Sequence, residues 1–295
     1  MTPHQKGLLL TGFGGLVLSF DIPVLRLADG DMWSVQFVRY GFGFLVTLLI
    51  WAAIGLWRRR AITLLPGRVG ILVAALYGCS ALGFIGAVYN TSAANVVFIL
   101  SFNTMFAALL GWLVLGERPA RATLATMVVV IAAVALIVGD SVHSGNLFGD
   151  MLALATSFVL ATVITVTRRS GRDMGFAPMM GGLLPITVAA LLLSRQETAL
   201  AFDAPAWIVF NGALLIPLSF WCLATGPKYI SGPEVAMFYL LETVLAPIWV
   251  WLLFDEAPTP AALAGGAIIV VALAAHSVWQ YRRASARPAV RAQIP

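Results

Sequence analysis

Three charged residues, Asp21, Arg39 and Glu242, fall deep inside apolar stretches of this 295-residue chain. Each stretch is about 20 residues long, the length of helix that spans the roughly 30 Å core of a bilayer. A charge near the bilayer centre costs at least about 2.5–3.5 kcal/mol, so it must face a bundle interior, be paired or be protonated. Asp21 and Arg39 fall at similar depth on consecutive stretches, which favours an ion pair of structural or gating charges. Alternatively, the donors of Arg39 bind a substrate carboxylate.

Glu242 supports two interpretations. It is a proton-coupling carboxylate or a hydrogen-bond acceptor for a substrate, or it is a structural acid that fixes helix packing. Other polar or aromatic residues at middle depth complete a candidate pocket, and some share a helix face with Glu242 or with one another. Aromatic walls with few polar groups suit a small zwitterion with an apolar side chain, although each aromatic residue could instead serve bundle packing. The candidate substrate-binding residues are Tyr77, Ser80, Asn95, Phe98, Phe102, Asn103, Trp221, Tyr239 and Glu242.

Composition and hydropathy predict the elements that must position these residues. Charged residues make up 11% and hydrophobic residues 60% of the chain, whereas a soluble domain carries about 25% charged residues. The sequence therefore predicts an all-α integral membrane protein without a soluble domain. Its ten transmembrane segments, numbered along the chain, are predicted at 6–27, 32–57, 67–89, 93–115, 121–139, 149–168, 175–194, 205–227, 232–254 and 260–281.

The basic residues predict the orientation of these segments. Fifteen of the 18 Lys and Arg residues fall on the side that holds both termini, and the other three are Arg26, Arg39 and Arg195. This asymmetry places the N- and C-termini in the cytoplasm and the protein in a cell inner membrane. The net charge of +5 therefore reflects topology and requires no nucleic-acid partner. We expect a small-molecule substrate and the lipid bilayer as partners, and a monomer.

An internal repeat divides the chain at 1–140 and 141–295. A shift of 139 positions superposes Gly116-Glu117-Arg118-Pro119 on Asp255-Glu256-Ala257-Pro258, and Asn103 on Glu242. Because each half holds five segments, an odd number, the second half is predicted to be inverted. Inverted repeats are typical of transporters, with the substrate site at the repeat interface near the middle of the membrane. Breakers at the turn between segments 8 and 9 are candidate hinges or an ordinary turn: Gly226, Pro227, Gly232 and Pro233.

Motifs in both halves resemble a known family. Arg39-Tyr40, Leu115-Gly116-Glu117-Arg118-Pro119 and the run Leu240 to Ala246 are similar to the EamA-type members of the drug/metabolite transporter superfamily, most of all to the bacterial YddG-like amino-acid exporters. The resemblance implies two inverted five-helix repeats and export of small metabolites by alternating access. It also implies that no cofactor is needed.

Other functional classes fit the chain less well. We find no H-E-x-x-H zinc motif, no filter-like loop and no Walker loop, which argues against a metal centre, an enzyme, a channel and direct ATP drive. The sequence therefore predicts a secondary transporter that exports neutral and aromatic amino acids. Proton-coupled efflux of cationic drugs is the alternative, with Glu242 as the coupling acid.

Overall fold

The computed structural model describes residues 2–58, 63–116, 118–172, 174–196, 199–225, 229–230 and 232–285. Within these ranges the regular structure is helical, and the β pairing is one isolated bridge between Gly30 and Phe202. The helices are α1 Pro3–Leu18, α2 Asp21–Leu27, α3 Met32–Arg58, α4 Gly67–Asn90, α5 Ala93–Leu100, α6 Asn103–Leu115, α7 Arg121–Ser144, α8 Leu147–Ser170, α9 Ala177–Gly181, α10 Leu183–Gln196, α11 Pro205–Phe210, a π-helical turn Asn211–Leu215, α12 Ile216–Thr225, α13 Gly232–Phe254 and α14 Pro260–Ser285.

These helices confirm an all-α integral membrane protein. In the described part of the chain, nine helical stretches are long and apolar enough to cross a bilayer. They correspond to the predicted segments 1 to 8 and 10. Segment 9 is α13, of which Leu241–Phe254 forms a further apolar helix. Pro247 lies inside α13, and the helix continues through it to Phe254.

Three of the predicted segments are divided into shorter helices in the described structure. Segment 1 is interrupted at Ser19 and Phe20, segment 4 at Ser101 and Phe102, and segment 7 at Gly182. In segments 1 and 4 the serine hydroxyl donates to a carbonyl three residues earlier, Ser19 to that of Leu16 at 2.7 Å and Ser101 to that of Phe98 at 2.6 Å. Such bonds compete with the helical ladder and accompany these two breaks.

The most extensive helix contacts join the two halves of the chain. Segment 3 packs on segment 6, and segment 1 packs on segment 8. Segments 2 and 7 also pack together, as do segments 5 and 10 and segments 4 and 9. Neither half therefore forms a separate bundle, and a cavity inside the molecule is bounded by both.

Loops from both halves meet at the end of the bundle where α4 ends. Arg26 pairs with Glu256 at 2.5 Å, and Glu256 also accepts a hydrogen bond from the backbone N–H of Ala93 at 3.2 Å. The Tyr89 hydroxyl donates to the Gly30 carbonyl at 2.5 Å. We call these contacts, together with the bridge between Gly30 and Phe202, the loop junction. The opposite end, where α4 begins, carries most of the basic residues that the structure describes and is called the basic end.

Candidate functional site

A cavity of about 470 Å³ lies in the middle of the bundle, between segments of both halves. Three of its lining residues are charged, eight are polar and the others are apolar. It reaches toward the basic end through Ile164, Pro178 and Phe220, and it includes none of the residues of the loop junction. The described lining consists of Leu18, Asp21, Arg39, Tyr40, Tyr77, Ser80, Ala81, Phe84, Val97, Leu100, Ser101, Asn103, Thr104, Thr156, Leu160, Ile164, Pro178, Met179, Ile216, Phe220, Glu242, Thr243 and Leu273.

An ion pair stands in the wall of this cavity. Arg39 donates from Nη1 to Oδ1 of Asp21 at 2.8 Å and from Nη2 to Oδ2 at 2.9 Å. The two side chains are only 6% and 5% exposed. Asn211 donates from Nδ2 to the same Oδ1 at 2.7 Å, so the carboxylate accepts three hydrogen bonds. Parallel bonds of this kind, in which both partners are charged, are the strongest that side chains form.

The local backbone explains how these three residues meet. Asp21 is the first residue of α2, where the helix dipole favours a negative charge. Asn211 begins the π-helical turn of segment 8, and such turns are frequent at functional sites. The next residue, Gly212, lets this turn approach α3 closely, because a Cβ there would lie 2.3 Å from the Arg39 carbonyl oxygen.

Aromatic rings flank the guanidinium group. The centroids of the Tyr40 and Phe84 rings each lie 5.5 Å from Cζ of Arg39. This distance permits cation–π attraction, which is worth about 2 kcal/mol where water is excluded. The rings and Asp21 together hold Arg39 in one position.

Glu242 also lines the cavity, on α13, and its side chain is partly exposed. Among the residues that the structure describes, it has neither a hydrogen-bond partner nor an ion-pair partner. It lies within electrostatic range of Asp21 and Arg39. With respect to the described residues, Glu242 is therefore a carboxyl group that is available to a ligand.

The predicted site residues divide into three groups. Tyr77, Ser80, Asn103 and Glu242 line the cavity, together with the pair Asp21 and Arg39. The described lining does not include four of the predicted residues, Asn95, Phe98, Phe102 and Trp221. The described part of the chain excludes the side chains of Tyr239 and Pro233 and the whole of Gly226 and Pro227. The backbone of Gly232 is described and begins α13.

Neighbouring contacts explain why four predicted residues lie elsewhere. Asn95 donates at 3.2 Å to both carboxylate oxygens of the buried Asp150. The ring of Phe98 occupies the space beside Gly266, where a Cβ would lie 2.2 Å from it. The Phe102 ring packs edge-on against Phe106, with the ring centroids 4.7 Å apart. Trp221 is 60% exposed on the outer surface of the bundle.

Sequence analysis missed several residues of the site. Asn211 carried a usable signal, since it is an amide in the middle of an apolar segment. Phe84 and Phe220 carried none, because nothing in the sequence separates them from aromatic residues that pack in the bundle. Thr156 is buried, and its hydroxyl has no hydrogen-bond partner in the described structure.

No group of three or more His, Cys, Asp or Glu side chains converges in the described ranges. A resident metal ion would have no such ligand set there. The cavity instead offers an internally neutral ion pair, one further carboxyl group, several hydroxyl groups and apolar walls. This chemistry suits binding of a small molecule.

Comparisons with known proteins agree with a transport function. The pseudopaline exporter CntI of Pseudomonas aeruginosa is 23% identical over 278 residues, which cover 92% of this chain and 96% of that protein. A probable terminal-alkyne amino-acid exporter of Streptantibioticus cattleyicolor is 26% identical over 189 residues, covering 61% and 62%. One crystal structure superposes with a TM-score of 0.67 at 17% identity, covering 95% of this chain and 99% of that chain, which shows the fold alone.

The profile of the EamA-like transporter family matches residues 5–139 and, separately, residues 147–277. Members of this family are transporters and not enzymes. Since the two matches cover most of the sequence, this chain belongs to the EamA-like transporter family.

Proposed function

We propose that the protein exports small metabolites, above all neutral and aromatic amino acids, across a bacterial inner membrane by alternating access. The central cavity carries this proposal. Its volume of about 470 Å³ accommodates one amino acid with some water, and mainly apolar walls with a few polar groups are typical of small-molecule sites. The relatives support export, because one is a pseudopaline exporter and another a probable exporter of a terminal-alkyne amino acid.

The proposal includes an inverted repeat, with residues 1–140 as one half and 141–295 as the other. Helix packing supports the repeat. If each segment is exchanged with its counterpart five segments away, the contact between segments 1 and 8 becomes the contact between segments 6 and 3, which is also present. The same exchange leaves the pairs 2 and 7, 4 and 9, and 5 and 10 unchanged. The two separate family matches give independent support. Repeats of this kind alternate around a fixed central site.

Cysteine labelling tests the repeat and the orientation together. In a background with Cys79 and Cys222 replaced by alanine, single cysteines replace Arg118 and Ala257. We expect a membrane-impermeant thiol reagent to label position 257 from outside and position 118 only in inside-out vesicles. Labelling of both positions from one side would contradict the inversion. Labelling on opposite sides, but with 118 outside, would contradict only the cytoplasmic location of the termini.

The shape of the cavity is compatible with the proposed direction of transport. It reaches toward the basic end, which we propose is cytoplasmic by the positive-inside rule, and the loop junction covers the other end. An exporter loads substrate from the cytoplasm, so this conformation fits the loading step. Segments from both halves of the chain supply the described lining of the cavity, and we propose that the protein acts as a monomer with no nucleic-acid partner.

Efflux from proteoliposomes tests the function. Vesicles loaded with labelled phenylalanine or leucine, or with a cationic dye, are diluted with and without a proton gradient. We expect protein-dependent amino-acid efflux in the absence of a gradient, and little efflux of the dye. Liposomes without protein are the control. Gradient-driven efflux of the dye alone would contradict the proposal.

Proton-coupled efflux of cationic drugs is the second candidate. It is favoured by the position of Glu242, a carboxyl group in the cavity without a described partner. A cation antiporter exchanges a proton for its substrate at this group, so Glu242→Gln would abolish the response to the gradient. In the amino-acid exporter, the amide retains one acceptor, and downhill transport continues at a reduced rate. Glu242→Leu removes that acceptor and is then the more damaging change.

A further inference from the structure

The cavity contains three charged side chains, but two of them neutralise each other. Both oxygens of Asp21 are bound by Arg39 at 2.8 and 2.9 Å. Asn211 supplies a third bond to Asp21, and the rings of Tyr40 and Phe84 flank the guanidinium. Taking Arg39 away from Asp21 would leave a buried carboxylate without its cation, which is strongly unfavourable. This pair is therefore poorly placed to receive the carboxylate of a substrate.

Glu242 is the remaining charge of the described lining. Its electrostatic neighbours are the two members of the neutral pair, and their effects on it oppose each other. An ionised carboxyl group at this depth is costly without a partner. A substrate ammonium supplies that partner through a charge-assisted hydrogen bond, which is about twice as strong as a neutral one.

A substrate carboxylate meets only neutral donors, provided that Arg39 remains paired. Three hydroxyls of the lining donate to carbonyls of their own segments: Ser80 to Tyr77 at 2.8 Å, Ser101 to Phe98 at 2.6 Å and Thr104 to Ser101 at 3.1 Å. The other hydroxyl and amide groups of the lining belong to Tyr40, Tyr77, Asn103, Thr156 and Thr243. They can bind a carboxylate, but equally an amide, an ester or water.

From this distribution of charge we propose that Glu242 determines specificity by binding the amino group of the substrate, and that the carboxylate contributes little to recognition. This inference rests on the proposed export of amino acids and adds the group that is recognised. The substrate class therefore extends to primary amines and amino-acid amides with an apolar side chain. Hydroxy acids and keto acids with the same side chain are excluded.

Competition binding tests the inference with three compounds that share one side chain. Purified protein in detergent binds labelled phenylalanine, and the competitors are unlabelled phenylalanine, phenethylamine without the carboxylate, and phenyllactate without the amino group. We expect phenethylamine to compete within about threefold of phenylalanine, and phenyllactate at least about 30-fold more weakly, since only the amines make the charged bond.

Variants of Glu242 test whether this residue is responsible for the preference for amines over phenyllactate. Glu242→Gln should weaken phenylalanine and phenethylamine about 10- to 100-fold and leave phenyllactate unchanged. Glu242→Asp keeps the charge and should preserve the ranking. Glu256→Gln is the matched control, because it makes the same chemical change in the loop junction, outside the cavity lining. Each variant is first compared with the wild type by thermal unfolding, and if Glu242→Gln does not fold, the ranking in the wild type and in Glu242→Asp decides.

Each alternative result has its own meaning. Strong competition by phenyllactate and weak competition by phenethylamine would overturn the inference and favour a carboxylate clamp at Arg39, with amino-acid export intact. For direct measurement of binding, labelled phenethylamine is also used. If it binds and phenylalanine neither binds nor leaves proteoliposomes, amine recognition stands and the proposed substrate class fails. Binding of none of the three compounds would overturn both.

Discussion

Replacing Arg39 with glutamine is expected to lower the free energy of unfolding by about 3–5 kcal/mol, the usual range when one partner of a buried ion pair is removed. Asp21, only 5% exposed, would retain Asn211 as a donor but lose its cation. Asp21→Asn should be similarly damaging, because it leaves the guanidinium without a counter-ion. Thermal unfolding of the detergent-purified proteins measures both effects.

The double variant and a surface pair provide the controls. Asp21→Asn combined with Arg39→Gln should recover part of the stability, since neither charge remains uncompensated. Arg26→Gln should cost at most about 1 kcal/mol, because the partners of that pair are 27% and 28% exposed. Normal stability of Arg39→Gln with loss of amino-acid transport alone would contradict the structural role and favour a carboxylate clamp.

Ser80→Phe is expected to reduce amino-acid efflux from proteoliposomes by about tenfold or more. Ser80 lines the cavity from α4, and a phenyl ring there would occupy space that the substrate needs. Overpacking a filled core costs about 1–3 kcal/mol, but this side chain enters an existing cavity, so the protein should still fold. Efflux and thermal unfolding are measured on the same preparation.

Cys79→Phe is the matched control, because Cys79 is the adjacent residue of the same helix and is exposed on its outer side. A ring at position 79 meets lipid and should leave efflux unchanged. Equal losses in the two variants would mean that the cavity is not the transport site. A loss of folding in Ser80→Phe alone would mean that this space cannot accommodate a ring.

The apolar core of the bilayer restricts which residues a membrane-spanning segment can carry. This restriction made the segments and the interior location of the deep charges predictable. Long apolar runs had to be helices, because lipid offers no partner for backbone groups. A charge inside such a run had to face the interior, and the structure places Asp21, Arg39 and Glu242 together in the cavity wall. Both arguments need only the sequence of a single segment.

Helix faces were less predictable, because they depend on contacts between segments. Phe220 lines the cavity while its neighbour Trp221 faces outward. Nothing in the sequence indicates which of these two aromatic residues faces the interior. The π-helical turn at Asn211 could not be foreseen either. Gly212 in this turn lies close to the backbone of Arg39, which belongs to the other half of the chain.

The contact between Asp21 and Arg39 also has a consequence for biosynthesis. The two residues are 18 positions apart, on the first two segments, and each alone in lipid costs at least about 2.5–3.5 kcal/mol. The first two segments therefore leave the translocon most favourably as a hairpin, with the pair already formed. Asn211 follows Asp21 by 190 positions, so its bond forms only after seven segments have been made and the eighth is emerging. The same carboxylate thus takes part in an early and a late step of assembly.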